Sequence, residues 1–198
     1  MNLSVYTSFI MLGRTHQLIG LTTGFTVYLL SNPVGYQPAM VFAVLMLSHF
    51  LALLPDVDQP LCDFWRGIPA GKYLGKISGS LLSHRNLTHS LLGAGLVWWL
   101  LTWLGAKVPA QWGLDIFLLT RVSMAAYLSH LVADMVTVEG VPLFFPMQHM
   151  FGIPPHPFQG LRIITGKWFE NLIVFPAVTI LFIYIVYSYW GLIHQLLL

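Results

Sequence analysis

Charge is scarce in this chain: Asp, Glu, Lys and Arg make up 8% of 198 residues, while 57% are hydrophobic. With a mean hydropathy of +0.74, that scarcity excludes an ordinary soluble domain, in which about a quarter of residues are charged. Cysteine is scarcer still. The single Cys62 cannot close an internal disulfide and sits in no metal-binding motif. Internal repeats and low-complexity tails are missing, which leaves one domain over residues 1–198. No basic segment followed by a small-residue cleavage site opens the chain, so no removable signal peptide is expected.

What the chain does have is apolar length. A bilayer core about 30 Å thick takes roughly 20 apolar residues in a helix. Residues 38–54, 87–106, 114–132 and 171–193 meet or approach that length, and residues 17–30 form either a tilted span or an interfacial helix. The expectation is an all-α polytopic membrane bundle of about five membrane helices. If all five cross, Arg14, Arg66, Lys72, Lys76, Arg85, Arg162 and Lys167 share one face. Lys107 is then alone on the other, and Arg121 lies inside a span. Basic residues collect in cytoplasmic loops, so the first face should be cytoplasmic. It also carries the long connections 55–86 and 135–170, where function tends to concentrate.

The histidines and carboxylates crowd onto that same face. His16 opens the first segment, and Asp56 and Asp58, in LLPDVDQP, follow the second. His84 and His89, in SHRNLTHS, precede the third; His130 and Asp134, in YLSHLVAD, close the fourth; Glu170, in TGKWFEN, opens the fifth. Each helix thus delivers a His or a carboxylate to one membrane level. His130 and Asp134, four apart, share a helical face about 6 Å from each other. With Asn86 as the cap of the third helix, His84 in the preceding turn and His89 in the first turn look toward one point. Pro55 and Pro60 bracket what reads as a rigid extended segment presenting the two acids.

Imidazole with carboxylate is the ligand set of zinc, iron, manganese and similar divalent ions. More than four candidate ligands leave room for two or three ions, an arrangement that clamps the oxygens of a phosphoester. Simpler roles compete for some residues. Asp58 could pair with Arg85, Glu170 could be an ordinary N-terminal acid, and Arg85 either anchors the positive face or grips phosphate. His49 reads as a packed helix residue, His149 and His156 as solvated loop residues, and His194 as an interfacial anchor. Arg121 is costly within a helix and is expected to snorkel to the far interface. Residues 141–158, VPLFFPMQHMFGIPPHPF, are too rich in proline for a long helix and read as an apolar wall beside the site. Arg162 and Lys167 follow it as cations suited to a phosphate head group.

LLPDVDQP, HRNLTHS and YLSHLVADMVTVEGVPLFFP, in that order, resemble the LexA-regulated, membrane-bound metal-dependent hydrolase family (YdjM-like). The resemblance runs from His16 to about Glu170. That family is grouped by remote similarity with zinc-dependent phospholipase C and the fungal single-strand nucleases, all-helical enzymes with clustered zinc ions. There, a His followed four residues later by an Asp ligates metal, which implies His130 and Asp134 here. An early His and an Asp about forty residues on also do so, which implies His16 and Asp56. One departure is Asn86, where the family commonly has Gly.

The sequence therefore predicts a multi-pass protein of the bacterial inner membrane whose site faces the cytoplasm and hydrolyses a lipid or lipid-linked phosphoester. His16, Asp56, Asp58, His84, His89, His130 and Asp134 would hold one or more divalent ions, most simply Zn2+. Asp58 and Glu170 would serve as further ligands or bases, and Arg85, Thr88 and Lys167 would orient phosphate. Membrane lipids are the expected partners, and no nucleic acid is expected. A non-enzymatic transporter or sensor is the alternative, although polar residues in the far half reduce to Arg121, Ser123 and Thr102. A peptidase lacks the HExxH motif.

Overall fold

The computed structural model describes residues 13–31, 37–59, 62–82 and 87–197. The expectations placed on His84, Arg85 and Asn86 lie outside the described residues. The described chain is helical, without a strand: α1 Gly13–Leu30, α2 Pro38–Leu53, α3 Asp63–Arg66, α4 Gly71–Leu82, α5 Leu91–Gly105, α6 Ile116–Met135, α7 Phe175–Ser188 and α8 Trp190–Leu197. Among the described residues, three stretches are long and apolar enough to cross a membrane: Pro38–Asp58, Ile116–Met135 and Glu170–Ser188. Helix α5 is apolar but has only 15 residues.

Several boundaries are set by identifiable caps. Pro38 opens α2 at a position where its missing N–H costs nothing. Asp115 caps α6, its carboxylate accepting from the Leu118 N–H at 2.9 Å. Helix α5 begins at Leu91 and is capped by Ser90, whose hydroxyl accepts from Gly93 N–H at 3.1 Å. His89 therefore sits in the turn ahead of the helix. The segment after α2 also differs from expectation. Leu54–Asp58 is a 3-10 turn that continues the helix, because Pro55 at its start is compatible with helical backbone. The last span ends at Ser188, with a bend at Tyr189 before α8.

Helices α1, α2 and α6 form the mutually packed centre, with α5 against α6 and α7 against α1. Close approach of α1 to α2 depends on glycine. A Cβ on Gly20 would stand 2.2 Å from the Ala52 Cβ, and one on Gly24 2.1 Å from the Ser48 hydroxyl. This tight seam brings His16, near the start of α1, beside Asp56, just past the end of α2. The centre buries Tyr28, Val44, Val122 and Ala126, yet also Thr15, His16, His130 and Asp134. Helix α7, in contrast, buries no side chain and turns Ile180, Ile183, Tyr184 and Tyr187 outward. Apolar outside and partly polar inside is the arrangement a lipid solvent favours.

The connection 136–163 folds back on the α6 terminus. Ile153 N–H donates to Met135 carbonyl at 2.7 Å, Ile163 N–H to Val136 carbonyl at 2.9 Å, and Leu91 N–H to Leu143 carbonyl at 2.9 Å. As the prolines require, no α-helix forms in it.

Candidate metal centre

Three imidazoles and two carboxylates converge where α1, α2, α5 and α6 end together. His16 comes from α1, Asp56 from the 3-10 turn, His89 from the turn before α5, and His130 and Asp134 from α6. All are buried. Two overlapping groups, His16–His130–Asp134 and Asp56–His89–His130, each place their donor atoms within 4.8 Å of one another. His16 stacks on His130 with ring centroids 3.8 Å apart, and His89 meets His130 edge-on at 5.4 Å.

The donor separations are informative. His16 Nε2 lies 3.4 Å from Asp134 Oδ1, and His89 Nε2 lies 3.4 Å from Asp134 Oδ2 and 3.5 Å from Asp56 Oδ1. His130 Nε2 stands 3.7 Å from Asp134 Oδ2 and 3.8 Å from Asp56 Oδ1. These are long for hydrogen bonds, which peak near 2.9 Å. They match the edge of a coordination polyhedron, since ligands about 2.0–2.1 Å from a tetrahedral zinc stand roughly 3.4 Å apart. The Nε2 atoms of His16, His89 and His130 are buried without a hydrogen-bond partner. Such atoms normally find a partner, so this donor set fits a cation.

The opposite edges of two rings are held. His130 Nδ1–H donates to the Ala52 carbonyl at 2.7 Å, which leaves Nε2 bare and aimed into the cluster. Thr88 Oγ1 donates to Asp58 Oδ2 at 3.2 Å and so accepts from His89 Nδ1–H, also at 3.2 Å. Asp58, through Thr88, thereby orients His89. The Thr88 backbone is fixed in turn, because the Tyr127 hydroxyl donates to its carbonyl. Burial opposes a charge on His89, but Asp134 and Asp56 outweigh it and push its pKa up to about 9.

The sequence profile of the YdjM inner membrane protein family matches residues 11–194. The chain belongs to the YdjM inner membrane protein family. It is 37% identical over 102 residues to Inner membrane protein YdjM of Escherichia coli K12, covering 52% of this chain and 48% of that one. The Shigella flexneri protein of the same name matches equally. Uncharacterized protein YvsG of Bacillus subtilis 168 is 28% identical over 166 residues, 83% of this chain and 88% of the relative. The chain spans about half the length of the two YdjM proteins it matches. No solved structure matches it. With its apolar helices, the family places this chain in the bacterial inner membrane.

In this YdjM-family chain, the other expected site residues fall into place around the cluster or away from it. Asp58 is buried but belongs to neither ligand group; its contact with Thr88 puts it behind His89. Glu170 is buried as well, in a π-turn that leads into α7. Its carboxylate accepts from the Thr15 hydroxyl and the Gly166 N–H, both at 2.7 Å, which ties α7 to the residue preceding His16. Lys167 is exposed. Arg162, expected as a head-group cation, instead donates from Nε to the Pro154 carbonyl at 2.8 Å and braces its own loop. His49 packs edge-on against Phe50 outside the cluster, while His149, His156 and His194 are exposed. Sequence reasoning missed the positioning contacts of Ala52, Thr15 and Tyr127. Backbone carbonyls carry no sequence signal, and Thr15 stood out only as the neighbour of His16.

Proposed function

We propose that this chain is a membrane-embedded, metal-dependent hydrolase acting on the phosphoester of a lipid or lipid-linked substrate at the cytoplasmic face. One observation carries the reading: five buried donors from four chain segments stand at coordination-edge spacing, two of their imidazoles oriented from behind. Zinc is the ion that best suits a site of three imidazoles and two carboxylates, and Asp134, near His16 through Oδ1 and near His89 and His130 through Oδ2, would be a ligand in it. A divalent ion would supply Lewis acidity, polarising a phosphoryl oxygen and lowering the pKa of water toward about 7.

The protein's own groups would do the rest. His16, Asp56, His89, His130 and Asp134 hold the ion. Asp58 and Thr88 keep the His89 tautomer. Glu170 fixes the start of α1 through Thr15. Arg85 and Lys167 complete the reading as the groups that would meet phosphate, with His84 as a further metal ligand. Crossings by α1 and α5 beside the three long apolar spans would gather the basic residues at the metal end, which supports a cytoplasm-facing site.

The surface around that end supports an amphiphilic substrate. Helix α4 exposes Tyr73, Leu74 and Ile77 beside Lys72 and Lys76, and the connection exposes Met147, Phe158, Leu161 and Trp168. Apolar residues mixed with lysine suit the head-group layer. A non-enzymatic metal-binding role remains the rival reading, favoured by the full burial of the ligands. Metal analysis of purified protein, followed by a panel of phospholipid and lipid-linked phosphoesters, separates the two. Stoichiometric metal with turnover abolished in His130→Ala supports the hydrolase; metal without turnover on any phosphoester supports the rival.

A further inference from the structure

The end of the bundle away from the metal holds a second feature. Between α5 and α6 lies a groove of about 740 Å3, walled by Val27, Trp98, Thr102, Met124 and Leu128 and including Arg121. That volume is typical of small-ligand sites. Thr102 and Thr120, both on its wall, return their hydroxyls to carbonyls of their own helices, so they leave Arg121 as the group able to bind a charged ligand.

Arg121 is nine residues before His130 on α6, hence about 14 Å farther along the axis. Its guanidinium is exposed, 5.8 Å from the centroid of the Phe117 ring, and forms no ion pair with a described carboxylate. Five of the acids serve elsewhere: Asp115 caps α6, Asp56 and Asp134 join the cluster, Asp58 holds Thr88, and Glu170 holds Thr15. An arginine within a membrane span needs an anionic or polar partner.

We propose that this groove binds an anionic glycerophospholipid, with its phosphate on Arg121 and an acyl chain along Trp98, Met124 and Leu128. Charge complementarity selects the head group, because a planar guanidinium engages two phosphate oxygens at once. The apolar wall selects the chain. The groove opens on the face where Trp98, Leu104 and Phe117 are exposed, which in a bilayer is the face bathed in lipid. This inference is independent of the hydrolase reading, since the lipid is a ligand that stays intact.

The experiment uses the full chain in detergent with phosphatidylglycerol and phosphatidylcholine of identical acyl chains, counting retained lipid by native mass spectrometry. The unmodified protein should retain one phosphatidylglycerol of unaltered mass, preferred over phosphatidylcholine by on the order of tenfold, as one charge-assisted contact allows. Arg121→Gln should abolish the preference, and Ala125→Phe, filling the groove while leaving the arginine, should abolish retention of both lipids. Unaltered metal content reports that each variant is folded. Equal retention of the two lipids by the unmodified protein overturns the proposal. So does a preference that survives Arg121→Gln, or retention that survives Ala125→Phe. A dimer that either substitution dissociates without changing lipid retention assigns the groove to a second copy and also overturns it.

Discussion

The two ends of α6 treat charge in opposite ways. At one end His130 and Asp134 are buried, and their neighbours from α1, the 3-10 turn and the α5 approach close around them. At the other, Arg121 is exposed in an apolar groove, over the Phe117 ring. Both ends lie in one apolar span, and both carry groups that are costly in a low-dielectric medium. The difference shows two solutions to the same cost. Charge can be collected from several segments into a set able to hold a cation, or it can be left exposed at an apolar surface.

Breaking the metal end should have the largest effect. His130→Ala or Asp134→Asn should remove bound metal and cost about 3–5 kcal/mol of stability, because the remaining buried charges lose their compensation. Metal analysis and thermal unfolding check both, whereas Arg121→Gln should leave metal content unchanged. Widening the α1–α2 seam comes next. Gly20→Leu forces atoms into the space of Ala52, whose carbonyl holds His130, and should cost about 1–3 kcal/mol with a parallel loss of metal affinity.

Thr88→Val sharpens the comparison without dismantling the cluster. It removes the hydroxyl between Asp58 and His89 and should weaken metal binding by about 10–100-fold in chelator competition, with metal still bound at saturation. Protons should compete with the ion at the same place. In cation-free protein the raised pKa of His89 stabilises the fold fully below its ordinary value of 6.5, a contribution lost as pH rises through about 9. A cation must displace that proton, so metal affinity should rise with pH up to about 9, measurable by titration at several pH values. The smallest effects belong to exposed residues of the same chemistry. His149→Ala, His156→Ala and Lys167→Ala should each change stability by less than about 0.5 kcal/mol and leave metal content intact.

Local patterns made part of this legible from residue types. His130 and Asp134 could be paired because a helix brings positions four apart together whatever surrounds it. The absence of an α-helix from residues 141–158 followed from proline in the same way. Caps were harder to read: several polar residues precede α5, and only the chain path into the helix shows Ser90 as its cap. Asp58 looked equivalent to Asp56 in the sequence, yet the 3-10 turn directs Asp56 to the histidines and Asp58 to Thr88.

The sequence by itself determined the helical membrane class and the crowding of imidazole and carboxylate at one membrane level. Composition and short-range periodicity are properties of neighbouring residues, and they act without reference to the rest of the chain. Only the tertiary structure decided which of those groups meet. His16 stacks on His130, and the Ala52 carbonyl chooses a tautomer, because two glycines let α1 and α2 approach closely. The fate of Arg121 was decided in the same way, by whether any carboxylate lay within reach once the helices had packed.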